Sequence, residues 1–128
     1  MATDNQGQDL SFKAAGDESA EQFTFYKLDT AGRADQCTAN DGTDGVVGIL
    51  QNKPGATDRS ARIRVSGKSK LVASTTINEG DRLRPDATGR GVATTTDTHC
   101  YGAVALTAAT ATDDKIEVLV TPYALHTG

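Results

Sequence analysis

Residues 62–67 (RIRVSG), 70–74 (KLVAS), 77–94 (INEGDRLRPDATGRGVAT), 101–109 (YGAVALTAA) and 115–123 (KIEVLVTPY) follow one another as short, turn-bounded pieces rich in small residues. Ile63 and Val65, and then Ile116, Val118 and Val120, fall on every second position, the period of a strand with one buried face. No helical stripe interrupts the series. The stretch predicts an all-β fold, a small β-barrel or sandwich built of short strands and hairpins.

Working outward, FTFYKL at 23–28 concentrates the aromatic residues and reads as the first strand of the barrel, its rings filling the core. DTAGRADQCTANDGTDG (29–45) reads as a loop, with turn signals at Asn40-Asp41-Gly42 and Asp44-Gly45. VVGILQN (46–52), the Pro-Gly turn KPGATDRSA and RIRVSG then form a hairpin with a long loop. GAVALTAA, ATDD and KIEVLVTP form a second hairpin of related design, a similarity of architecture rather than of aligned residues. Between them, Asn78-Glu79-Gly80 and Asp86-Ala87-Thr88-Gly89 punctuate a further strand pair. These elements place a β-barrel domain over residues 23–128. Residues 1–22 carry only Leu10 and Phe12 as large apolar groups among acidic and polar ones, and are expected to form a flexible N-terminal arm. Leu10 and Phe12 alternate as strand residues do and are the candidate binding residues, able to dock on the sheet edge of another protein.

Composition limits the core: the chain is 37% hydrophobic and 5% aromatic, and Thr, Ala and Gly supply 49 of its 128 residues. Small side chains bury little area each, at about 25 cal/mol per Å², so association with a partner surface would add to stability. Charge is segregated, with nine acids and three bases in residues 1–45 against eight acids and ten bases in residues 46–128. A pI near 5.0 argues against nucleic acid, whose phosphates require a dominant basic face. No apolar run reaches the eighteen residues of a membrane span, and no charged start followed by an apolar run marks a secretory leader.

The chemistry-bearing residues do not assemble into a catalytic framework. Gly67-Lys68-Ser69 ends like a phosphate loop, but the leading glycine of that motif would fall on Arg62. His99 and Cys100 are neighbours in an extended segment and point to opposite faces, and His126 lies close to the C-terminus. No G-x-S-x-G elbow occurs, and Asp41 and Asp44 lack the spacing and the distal Glu of a calcium loop. Cys37 and Cys100, 63 residues apart, suit neither a zinc knuckle nor a redox pair and are expected to be reduced thiols rather than a disulfide. The expectation is a protein that is not an enzyme and needs no cofactor or metal. Arg62 and Arg64 share a face opposite Ile63 and Val65, where they either solubilise an edge or meet acids of a neighbouring subunit.

The order of these pieces resembles the capsid cement, or head decoration, proteins of tailed bacteriophages over roughly 45–123. The resemblance is carried by Val65, Ser66 and Gly67; by Gly80, Asp81, Leu83, Asp86 and Gly89; by Gly102, Ala105, Leu106, Ala108 and Ala109; and by Val118 to Val120. It implies a structural virion protein, made in the host cytoplasm, that binds the major capsid protein on the outer surface of the assembled capsid. It also implies a homotrimer sitting at local three-fold positions and stabilising the shell, with residues 1–22 as a reaching arm. A carbohydrate- or host-surface-binding β module is the alternative, and it would need exposed aromatics, with Tyr26, Tyr101 and Tyr123 as the available tyrosines.

Overall fold

The computed structural model describes residues 7–37, 45–94 and 100–125, the side chains of Cys100 and of residues 122–125 lying outside that description. Within them are nine strands and no helix: β1 (Gly7–Lys13), β2 (Phe25–Leu28), β3 (Ala34–Gln36), β4 (Gly48–Leu50), β5 (Ser60–Val72), β6 (Arg82–Pro85), β7 (Gly91–Ala93), β8 (Cys100–Ala105) and β9 (Lys115–Leu125). They form one curled antiparallel sheet in the order β3-β2-β4-β5-β9-β8-β6-β7, with β1 added on β5. The fold is all-β, as the alternating apolar residues require.

The two predicted hairpins and the pair around Asp86–Gly89 are all present as β4–β5, β8–β9 and β6–β7. RIRVSG and KLVAS, read as separate pieces, are one strand, because Gly67 takes φ +89° and turns the chain without ending its pairing. The segment read as a loop from 29 to 45 contains β3, paired with β2 through Tyr26–Gln36 and Leu28–Ala34.

The structure also differs from a free arm over residues 7–22. β1 pairs along the whole of Ser60–Gly67, Leu10 opposite Ile63 and Phe12 opposite Ala61. Ala14 is fully buried, and the Glu18 N–H donates to the Pro54 carbonyl at 2.9 Å. The physical reason is that β5 offers apolar Ala61, Ile63 and Val65 on one face, and Phe12 covers them. A strand added to a waiting edge satisfies its backbone groups there at a lower entropic cost than an arm that must find a distant partner.

The strand order is palindromic in kind, because the chain is two like halves. β1, β2, β3, β4 and the start of β5 correspond to the end of β5, β6, β7, β8 and β9. Asp29-Thr30-Ala31-Gly32-Arg33 and Asp86-Ala87-Thr88-Gly89-Arg90 make the same turn, with Gly32 and Gly89 both at φ +77°. Asp58 and Asp113 both sit at φ +68°, and each meets the arginine of its own turn, Arg33 at 3.8 Å and Arg90 at 3.0 Å. Ala14 bridges Ala34 in parallel, as Ala73 bridges Gly91. The Phe23 N–H bonds the Leu50 carbonyl at 2.8 Å, as the Gly80 N–H bonds that of Ala105 at 2.8 Å, and both Phe23 and Gly80 have positive φ.

Each half has its own core. In the first, Ala14, Tyr26, Ala34, Leu50, Ala61 and Ile63 pack together; in the second, Ala73, Leu83, Ala105, Ile116 and Val118 do so with Leu71 and Ile77. Phe25, Val46 and Ile49 belong to the first half yet lie in the second cluster, so β2, β4 and the segment before β4 cover the second half. Gly102 is required at that seam, since a Cβ there would come within 2.5 Å of Val46 Cγ1 and 2.9 Å of the Phe25 ring.

Candidate functional site

Among the described residues no group of His, Cys, Asp and Glu is arranged to hold a metal ion. Cys37 is fully buried in the second cluster; the side chain of its candidate partner Cys100 lies outside the described residues, as do His99, His126, Asp41 and Asp44. The most unusual chemistry is a buried pair, Tyr26 donating its hydroxyl to Glu18 Oε2, with 0% and 7% of the two residues exposed. Burial pushes the Glu18 carboxyl above its ordinary range, the Tyr26 hydrogen bond opposing this and Asp35, Glu21 and Asp17 adding to it. Burial also pushes the Tyr26 hydroxyl up, with the bond to Glu18 acting in the same direction. In the second half the counterparts of this pair are Ile77 and Leu83, an apolar contact. Glu18 and Tyr26 therefore take the place of core residues, closed off from solvent.

The basic residues are mostly spoken for within the chain. Asp9 on β1 takes both Arg64 and Arg62, the latter at 3.1 Å, so within the chain both arginines bind the added strand. Lys68 pairs with Glu117 at 3.1 Å, and Arg90 with Asp86 at 3.2 Å. Lys70 lies over the Phe23 ring at 5.9 Å and Arg82 over the Tyr101 ring at 5.7 Å. With Tyr26 buried and Tyr101 half-buried beneath a guanidinium, the described tyrosines form no aromatic platform; the side chain of Tyr123 lies outside the described residues.

What remains is surface. An open cleft of about 230 Å³ follows the seam between the halves, lined by Phe23, Gln51 and Arg64 from the first and by Lys68, Ser69, Lys70 and Glu117 from the second. The exposed large apolar side chains among the described residues are Leu10 (43%), Leu28 (37%), Leu106 (43%) and Leu119 (44%). Of the two arm candidates, then, Leu10 is open to a partner and Phe12 is committed to its own core. None of Leu28, Leu106 and Leu119 was a binding candidate from the sequence; Leu106 and Leu119 entered only as residues of the family resemblance, and Leu119 is the apolar residue out of phase with Val118 and Val120.

Residues 4–121 of the chain match the family model of phage cement proteins. The chain belongs to the phage cement protein family. The role that goes with membership is a structural one associated with the capsid of a phage. Among solved structures, the N base of the head fiber protein gp8.5 of bacteriophage phi29 shares the fold, with a TM-score of 0.63 at 14% sequence identity, covering 93% of this chain and all (100%) of that one. No curated protein matches. Most of the motif residues that carried the sequence resemblance are turn and core positions: Gly67, Gly80 and Gly89 hold positive φ, and Leu83, Ala105, Ala109 and Val118 are buried, while Ser66, Leu106, Ala108 and Leu119 are exposed.

Proposed function

We propose that the protein binds the outer surface of an assembled phage capsid as a homotrimer at local three-fold positions and stabilises the shell by bridging neighbouring subunits of the major capsid protein. The observation that carries this reading is the family match across residues 4–121, joined to a described surface that offers apolar contacts and ion pairs rather than catalytic groups. The protein acts by binding alone, with no cofactor and no chemical step. The small-residue core supports the trimer, since association adds buried area that the single chain lacks. Residues 1–22 contribute through β1, where Phe12 packs on the first-half core and Leu10, on the same face, stays 43% exposed.

Mixing the purified protein with undecorated shells tests the proposal. Saturable binding at one trimer per local three-fold position is expected, together with a higher temperature of shell disruption. Shells that remain bare in a density map at saturating protein, or that are decorated only on their inner surface, would rule it out.

A further inference from the structure

We infer that copies of this chain associate head to tail, the second half of one docking on the first half of the next in the way the two halves dock within a chain. The inference rests on the trimer of the proposed function for its closed ring, and on the internal repeat for its geometry. Leu10 faces Ile63 across β1 and β5 as Ser69 faces Val118 across β5 and β9, so Leu10 is the first-half counterpart of Ser69. The Leu50 N–H bonds the Thr24 carbonyl at 3.1 Å as the Ala105 N–H bonds that of Asp81 at 2.9 Å, so Gln51 and the residue after Ala105, Leu106, are counterparts. Within the chain Gln51 Nε2 donates to Ser69 Oγ at 2.8 Å across the seam. Between two copies the same contact would join Leu106 of one to Leu10 of the next, an apolar pair in place of a polar one.

Both of those leucines are 43% exposed in the single chain. Leu119 fits the same scheme: Ile49 pairs with Arg64 as Val104 pairs with Leu119, and Arg64 lines the seam within the chain while Leu119 is 44% exposed. The turns agree. Gly89 is buried against Thr24, Phe25 and Gln36, whereas its counterpart Gly32 has nothing within 4 Å of a built Cβ. The first half thus lacks the cover that it supplies to the second, and the second exposes the face that would supply it. Because the two surfaces differ, the contact is heterologous and closes only as a ring or continues as a filament.

The test uses Leu10→Asp and Leu106→Asp, both at exposed positions, with melting curves to establish that each folds. Sedimentation of the wild type should give about three times the 13.3 kDa chain mass, and each variant alone the mass of one chain. An equimolar mixture of the two variants should form a dimer, because each retains the surface that the other has lost. If one variant fails to fold, Leu119→Asp replaces Leu106→Asp, and Leu28→Asp replaces Leu10→Asp, since Leu28 pairs with Ala34 as Pro85 pairs with Gly91, and Leu28 is exposed where Pro85 is buried. A wild type that stays monomeric, a folded variant that still sediments as a trimer, or a mixture that remains monomeric overturns the inference. Shell binding separates it from the proposed function: a trimer that leaves shells bare defeats that function and spares this inference, and trimeric decoration of shells by folded Leu10→Asp and Leu106→Asp does the reverse. A trimeric Leu10→Asp that no longer decorates shells would assign Leu10 to the capsid and overturn the contact proposed here.

Discussion

At the scale of residues, two buried acids respond to pH in opposite senses. Glu18 is held above its ordinary pKa by burial, so the stability that it contributes is present below the ordinary glutamate range and is lost as pH rises through its raised value. Glu18→Gln keeps an acceptor for Tyr26 without the charge. It is expected to raise the melting temperature by a few degrees at neutral pH, a gain that vanishes as acid protonates the wild type. Tyr26→Phe leaves the buried carboxyl without its donor and should cost about 1–3 kcal/mol. An unchanged pH profile of the melting temperature in Glu18→Gln would show that the Glu18 carboxyl titrates alike in the folded and unfolded chain, against the raised value that its burial implies. Burial also pushes Asp86 up, but hydrogen bonds from Ser74, Thr88 and Arg90 overcome this and hold it below the ordinary carboxylate range. Its stability is therefore present above that range and lost as pH falls through the lowered value.

At the scale of elements, the same aspartate organises the β6–β7 turn: Oδ1 accepts from the N–H groups of Thr88 at 2.8 Å and Arg90 at 2.9 Å. Asp86→Ala should cost about 2 kcal/mol, a fall of roughly 6–10 °C in melting temperature, because those groups lose their acceptor in a buried setting. Asp29→Ala, in the matching but exposed β2–β3 turn, should cost less, and thermal unfolding of the two variants side by side checks the order. β1 offers a second contrast. Measured in the Leu106→Asp background, where no second copy covers β1, Phe12→Ala should cost about 2 kcal/mol by uncovering Ala61 and Ile63, while Leu10→Ala should cost less than about 1 kcal/mol, since its side chain is 43% exposed in the single chain. Equal costs at the two positions would mean that β1 is not docked on β5 in solution.

At the scale of the whole molecule, two like halves of small residues make a fold whose cores are thin and whose seam supplies much of the burial. Phe25, Val46 and Ile49 serve the second half from the first, so the halves are expected to unfold together. A single transition by calorimetry, with the calorimetric and van't Hoff enthalpies equal, is the outcome that checks this. Two resolved transitions would show that each half stands alone and that the seam adds little.

The sequence by itself determined the strands that alternate and the turns that glycine and aspartate demand. Ile63, Val65, Ile116, Val118 and Val120 announce one buried face, and Asp86-Ala87-Thr88-Gly89 announces a hairpin, because these signals are local in the chain. The family was legible for the same reason, its motif being for the most part those turns and core positions. β3 was hidden by its length of three residues, although Asp29-Thr30-Ala31-Gly32-Arg33 repeats the turn of Asp86 to Arg90 and marked its place. What only the tertiary structure decided is where surfaces meet. Whether Leu10 and Phe12 reach outward or lie on β5, whether Arg64 faces a partner or Asp9, and whether Phe25 fills its own half or the other depend on contacts between residues far apart in sequence. Periodicity states that a face is buried; only the arrangement of the sheets states against what.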